Sequence, residues 1–199
     1  MKIYNDIQQN TPEWLELRLG KFTASDAQAI ASNGRGLESL VFEKVAEILT
    51  GKQKEEYTNA DMERGHELEE MARNSYEVET GIVVKRVGFI EKSERIGCSP
   101  DGLIDEDGLQ EIKCKNDANF VRYMFDKIID TDHVWQMQMQ LLISERKYCD
   151  YVVFNPNFPK TIIITKVVRD EAAIEKLRIG LEEAQEKLDK VLSKLKGGK

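Results

Sequence analysis

The sequence is poor in the residues that build covalent staples and soft-metal sites. Its 199 residues include three cysteines, Cys98, Cys114 and Cys149, scattered and without a Cys-x-x-Cys pair. That excludes a disulfide framework and a four-cysteine zinc or iron–sulfur site, and it suits a reducing, cytoplasmic compartment. There are two histidines, His66 and His133, and no His-Glu-x-x-His helix, so both are read as non-ligands. No apolar run approaches the ~20 residues of a membrane span. The opening residues, MKIYNDIQQNTPEW, lack the apolar segment of a secretory signal. Positive charge is also in deficit: 29 Lys and Arg against 36 Asp and Glu give a net charge of −7. A general nucleic-acid coat would be basic. An enzyme that gathers carboxylates for metals and keeps a local basic path is not excluded.

What is present is a globular composition, 41% hydrophobic and 33% charged. With no repeat and no low-complexity linker, residues 1–199 are read as one domain. It divides into a helical N-terminal part (1–81), a core of strands and helices (82–168) and a C-terminal helix (169–196). Pro12 opens a helix that stops near Gly20. Thr23 or Ser25 caps a short helix through DAQAIA. GRG (34–36) reads as a loop, followed by a helix through LESLVFEKVAEIL with Gly51 at its C′ position. A further helix runs from about Asn59 to Thr80, with Met62, Leu68, Ala72 and Tyr76 at helical spacing.

The middle of the chain reads as a three-strand meander: IVVKRVGFIEK, IGCSPDGLID with a bend at Pro100, a tight turn at DEDG (105–108), then LQEIKCK. NDANFVRYMFDKII and VWQMQMQLLIS read as helices, KYCDYVVFN and KTIIITKVV as strands. The last helix carries Ile174, Leu177, Leu181, Ala184, Leu188, Val191 and Leu195 at heptad spacing. Packing on its own domain is favoured over an intermolecular coiled coil. The element order gives an α/β architecture, a mixed central sheet flanked by helices.

One constellation carries chemistry. Asp101 follows Pro100, and nine residues later comes Glu111-Ile112-Lys113. On a strand, Glu111 and Lys113 project to one face, and the turn at 105–108 returns Asp101 beside them. Two carboxylates and one ammonium then converge. Asp101 and Glu111 are hard oxygen ligands suited to Mg²⁺ or Mn²⁺. The Ile112 carbonyl between them is a further candidate ligand, and Lys113 is placed to orient or help deprotonate a water. Upstream, Arg64-Gly65-His66-Glu67-Leu68-Glu69-Glu70 lies on a helix that can aim a third carboxylate. Downstream, Gln136 and Gln140 share a helix face from which Gln138 points away.

The ordered set Gly65…Glu69, Ser99-Pro100-Asp101-Gly102, Glu111-Ile112-Lys113 and Gln136-x-Gln138 resembles the PD-(D/E)xK nucleases. Among them it is most similar to the phage lambda exonuclease and the YqaJ-type recombinase exonucleases. Trp14 and the run Leu17-Arg18-Leu19-Gly20-Lys21-Phe22-Thr23-Ala24-Ser25 resemble that family's opening signature. The resemblance spans about Thr11 to Phe158 and implies a restriction-endonuclease-like core. It implies that Asp101, Glu111, the Ile112 carbonyl and Glu69 bind two Mg²⁺ ions, for which Mn²⁺ can substitute. It implies that Lys113 is the catalytic lysine and that Gln136 closes the motif. It also implies that Arg18, Ser25 and Ser99 hold a DNA 5′-phosphate, a role that suits a bidentate arginine and a helix N-terminus. The activity implied is processive 5′→3′ digestion of one strand of linear double-stranded DNA, leaving 3′ overhangs for a single-strand annealing protein. A ring-shaped homotrimer is the implied assembly.

Simpler readings stand beside these. Glu67 and Glu70 read as a solvated helix face. Lys115, Arg122 and Lys127 read as a DNA-backbone grip or as solvated charge, and Cys98 and Cys114 as small core hydrophobes. The rival functions are an endonuclease or RecB-like nuclease of the same superfamily, and a non-catalytic DNA-end-binding protein on the same fold. The missing cysteine cluster speaks against a Cas4-type nuclease.

Overall fold

The structure, a computed structural model, describes residues 1–53 and 60–197, of which 60–66 and 196 by backbone alone. The first strand, β1 (Lys2–Tyr4), precedes α1 (Pro12–Arg18). Thr11 caps α1 by accepting the Trp14 N–H at 3.4 Å, with Pro12 just inside. The chain continues through β2 (Phe22–Thr23), a 3₁₀ turn (Ala24–Asp26), α2 (Ala27–Ser32) and α3 (Arg35–Thr50). The loop expected at 34–36 is narrower. Asn33 takes the left-handed conformation that ends α2, so Gly34 alone bridges to α3, and Arg35 and Gly36 lie in its first turn. Gly51 ends α3 at φ 68°, its N–H on the Glu47 carbonyl at 2.9 Å, in the C′ position the sequence assigns it. Then come α4 (Ala60–Thr80), β3 (Val84–Lys85), β4 (Phe89–Ser93), β5 (Ile96–Cys98), β6 (Gly102–Ile104) and β7 (Gly108–Cys114). After these follow α5 (Asp117–Asp126), α6 (Thr131–Ser144), β8 (Tyr148–Phe154), β9 (Ile162–Val168) and α7 (Glu171–Lys196).

The strands form two sheets, ordered β1-β4-β5-β2 and β3-β6-β7-β8-β9. This corrects the expected meander. The run 82–92 is two strands in different sheets, because the chain turns at Arg86-Val87-Gly88 where it passes under the N-terminal loop. A Cβ on Gly88 would stand 2.0 Å from the Ile7 carbonyl oxygen. The run 96–105 likewise splits at Ser99-Pro100-Asp101, with β5 in the small sheet and β6 in the large one. The N-terminal part, expected to be helical, contributes β1 and β2 to the small sheet. Both are too short for a periodicity to show.

In the large sheet β7 and β8 are parallel, joined through α5 and α6, and the other pairs are antiparallel. Side-chain alternation divides its two faces. Leu109, Cys149, Tyr151 and Val153 belong to the main core with α2, α3, α5, α6 and α7. Ile112, Val152, Phe154 and Ile162 pack instead with Ala72 and Tyr76 of α4. Met62, from the same helical pattern, lies outside the residues whose side chains are described. Ile174, Leu177, Leu181, Ala184 and Leu188 are buried in the main core and Val191 packs partly against it, so most of the heptad stripe of α7 packs within its own chain, while Leu195 is exposed and Leu192 is buried in its place. Helices α7 and α2 approach closely enough that a Cβ on Gly180 would stand 2.1 Å from the Ile30 carbonyl oxygen. Among the described residues, no helix is long and apolar enough to cross a membrane.

Candidate active site

Strands β6 and β7 build the centre of the site. Gly102 pairs with Gln110, and the Asp101 N–H bonds the Gln110 carbonyl at 3.0 Å, so Asp101 stands across from Glu111. Asp101 Oδ2 accepts the Ile112 N–H at 2.6 Å, which fixes the carboxyl against the neighbouring strand. Glu111, 2% exposed, receives three donors. Lys113 Nζ reaches its Oε1 at 2.7 Å, Gln136 Nε2 reaches Oε1 at 2.8 Å, and Gln140 Nε2 reaches Oε2 at 2.7 Å. Gln136 Oε1 lies 3.4 Å from Lys113 Nζ, which closes the cluster. Burial raises the Asp101 pKa well above the usual carboxylate range, and the Glu111 and Glu69 charges push the same way. For Lys113, burial pulls the ammonium pKa down, but Glu111 and Asp101 outweigh it, and the net shift is upward.

Helix α4 brings a third carboxylate to the rim. Glu69 lines the cleft, and its Oε1 accepts from Arg73 Nη2 at 2.8 Å. The same Nη2 donates to the Asp101 carbonyl at 3.0 Å. Arg73 is buried and also bonds Glu70 at 3.1 Å. Glu70 is paired again to Arg86, away from the centre, and Glu67 is exposed. Of Gly65 and His66, singled out in the sequence, the structure describes the backbone alone.

The residues expected to hold a phosphate line the same cleft, of about 470 Å³. Trp14 Nε1 donates to Ser99 Oγ at 2.9 Å and to the Gly88 carbonyl at 3.1 Å. The Arg18 guanidinium lies over the Trp14 ring, 4.3 Å from its centroid. Ser25 Oγ is 2.9 Å from Thr23 Oγ1, at the entry to the 3₁₀ turn. Arg18, Ser25 and Ser99 are thus brought together with Asp101, Glu111, Lys113, Glu69 and Gln136.

Of the remaining candidates, Gln138 is buried elsewhere: it accepts the Asp170 N–H and donates to the Val168 carbonyl, joining β9 to α7. Lys115 lines the cleft and pairs with Asp130 at 2.9 Å. Arg122 lies in a smaller adjoining pocket of about 170 Å³, and Lys127 sits 5.7 Å from the Tyr123 ring centroid. Cys98 and Cys149 are core residues whose thiol pKa values burial raises. Cys114, expected in the core, is half-buried and lines the cleft, because it ends β7 where the strand reaches the site. His133, also in the cleft, shares a hydrogen bond with the Tyr151 hydroxyl at 2.9 Å. Burial, then the Lys113 and Lys115 charges, holds its pKa down to about 4.

Three residues contribute more than the sequence assigns them. Arg73 carries no sequence signal of its own. Gln140 shares the helix face of Gln136 in the sequence but has no role there. Gln9 lies in a stretch without periodicity, yet its amide donates to the Val87 and Pro100 carbonyls at 3.1 and 3.0 Å, beside Asp101. Its place at the cleft depends on the chain crossing between sheets, which no local signal announces.

The donors suit a hard divalent cation. Asp101 Oδ1 accepts no hydrogen bond among the described residues, and Glu111 uses three of a carboxylate's roughly four acceptor positions. Burial first, then repulsion from Glu111 and Glu69, raises the Asp101 pKa, and the repulsive part is a field that a cation relieves. Among the described residues, no three His, Cys, Asp or Glu side chains group closely enough to hold an ion alone. A pair of carboxylates completed by water is the set that Mg²⁺ accepts.

Comparison with known proteins gives the family and the fold. No curated protein sequence matches the chain. The alkaline exonuclease LHK-Exo of Laribacter hongkongensis is 33% identical, with a TM-score of 0.86 over 94% of this chain and 96% of that one. The same protein in complex with dAMP gives 34% identity and the same TM-score and coverage. A phage-related exonuclease from Haemophilus somnus, 19% identical, shares the fold, with a TM-score of 0.67 over 88% of this chain and 96% of that one. The fold is therefore the restriction-endonuclease-like one expected from the motifs. The model of the YqaJ-like viral recombinase domain matches residues 13–147, which include every candidate site residue, and the chain belongs to that family.

Proposed function

We propose that this chain is a phage-type exonuclease, dependent on Mg²⁺, that digests one strand of linear double-stranded DNA from its 5′ end. The observation that carries the reading is the convergence of Asp101, Glu111 and Lys113 in one cleft with Arg18, Ser25 and Ser99. Family membership and 33% identity to an alkaline exonuclease over nearly the whole chain support it. The relative's complex with dAMP suits release of mononucleotides.

Asp101, Glu111, the Ile112 carbonyl and Glu69 are the groups that would hold two Mg²⁺ ions. Bound there, the metal supplies an acidified water and stabilises charge on the scissile phosphate. The chain supplies the rest. Lys113, held by Glu111 and Gln136, aims its ammonium at the attacking water or the phosphate oxygen. Arg73 ties Glu69 to the Asp101 backbone, so the carboxylates of Glu69 and Asp101 keep one spacing. Arg18, stacked on Trp14, presents a planar guanidinium to the terminal phosphate, which sets the polarity of digestion. Digestion would leave a 3′ overhang for a single-strand annealing protein, and a trimeric ring would keep the enzyme on its substrate.

The test is one linear duplex, phosphorylated or not at each 5′ end, with a closed circle alongside, with and without Mg²⁺. Mononucleotides released only from linear, 5′-phosphorylated ends in the presence of Mg²⁺ are expected. Cutting of the circle would assign an endonuclease, and end binding without turnover a non-catalytic protein.

A further inference from the structure

Helix α6 presents two glutamines to Glu111, and the reading above uses only Gln136. Gln136 Nε2 and Lys113 Nζ both donate to Glu111 Oε1. Gln140 Nε2 is the only donor on Oε2 among the described residues, at 2.7 Å. Gln140 is fully buried, and its own Oε1 has no hydrogen-bond partner among the described residues. Its neighbours Met137, Met139 and Leu141 fill the core with apolar side chains. An amide at this depth with one atom unsatisfied is costlier than a methionine, unless its other atom does something a methionine cannot.

That something is orientation. The last torsion of a glutamate is soft and roughly two-fold, so donors gathered on one oxygen leave the carboxylate plane free to rock. A donor on each oxygen stops it. We propose that Gln140 is a positioning residue of the nuclease reaction, fixing the plane of the Glu111 carboxylate so that its remaining acceptor position serves the cleft. The inference rests on the nuclease reading and adds a residue to it.

The test uses the full chain as wild type and as Gln140→Met, which keeps volume and removes the donor. Three quantities are measured: thermal unfolding without metal, Mn²⁺ binding by calorimetry without DNA, and kcat and KM on linear duplex. Outer residues that orient metal ligands typically change affinity or activity about 10–100-fold. Gln140→Met is expected to unfold within a few degrees of wild type, to bind Mn²⁺ about 10–100-fold more weakly, and to lose kcat by a similar factor while KM stays within about two-fold. Wild-type Mn²⁺ affinity and kcat in Gln140→Met would overturn the proposal. If that variant does not fold, Gln140→Asn keeps an amide but is one methylene too short to reach Oε2, and wild-type values there overturn it equally. A wild type that binds Mn²⁺ but cuts nothing overturns the nuclease reading, while the binding comparison still decides the role of Gln140. A wild type that neither binds nor cuts overturns both.

Discussion

Glu111 and Asp150 are both buried carboxylates on adjacent strands of the large sheet, one on each face, at 2% and 5% exposure. Glu111 is supplied with donors on both oxygens, from three side chains on two elements. Among the described residues Asp150 has one hydrogen bond, from the Tyr76 hydroxyl at 2.7 Å. Its Oδ1 accepts none among them and pairs with Lys166 Nζ at 3.7 Å. Burial alone therefore does not separate the two carboxylates. The redundant shell of donors does, and it suits the role proposed for Glu111, because a group that must keep one orientation through a reaction needs more than one restraint.

The comparison can be broken in several ways. The largest effect is expected from Lys113→Ala. It removes a donor from Glu111 and the ammonium from the cleft, and cleavage should fall by about 10²–10³-fold or more. Fold and duplex binding should persist. Single-turnover digestion beside a binding titration checks this, and near wild-type cutting would erase the distinction between the two faces. Tyr76→Phe acts on the other face. It leaves Asp150 Oδ2 buried without a donor and should cost about 1–3 kcal/mol of stability, with cleavage per folded molecule unchanged. Denaturant unfolding reads the first quantity and active-site-normalised digestion the second. A loss of cleavage at full stability would move Asp150 into the working site.

Arg18→Ala sharpens the picture within the cleft. Loss of a charge-assisted phosphate contact should lower the preference for 5′-phosphorylated over hydroxyl ends by about 10-fold. An equal loss on both ends would remove the phosphate role. The smallest effect concerns His133. Its folded pKa, about 4, lies below the ordinary value of 6.5, so the unfolded chain binds its proton first as pH falls. Stability from this group is intact above pH 6.5 and drains away between there and about 4. His133→Gln should therefore gain stability relative to wild type as pH drops from 7 to 5, which unfolding midpoints at each pH will show. A constant difference across that range would deny the shift.

Much of this was legible in the sequence, for identifiable reasons. Glu111 and Lys113 sit two apart on a strand with Asp-Gly turn chemistry before it, so local alternation was enough to pair them with Asp101. Gly51 was read as a cap from residue type, and Thr11 and Asp170 are readable the same way; the apolar spacing of α7 matched its buried face as far as Leu188. What failed was strand membership. IVVKRVGFIEK is uniformly strand-like, and only tertiary crowding at Gly88 divides it between two sheets. Gln9 was illegible for the same reason, and so was the bond from Arg73 to the Asp101 carbonyl: these partners lie across a sheet crossing, and composition carries no record of it.

The parallel pairing of β7 with β8 has a further consequence. These neighbours are separated in sequence by α5 and α6, so the pairing is non-local and the entropy of closing that loop must be met first. Helix α6 lies inside the loop. The step that docks β8 against β7 also delivers Gln136 and Gln140 to Glu111, so this carboxylate gains its amide donors as it loses its water. A refolding chain passes from a hydrated, idle glutamate to a restrained one within a single slow phase, and recovery of nuclease activity should track strand closure rather than helix formation.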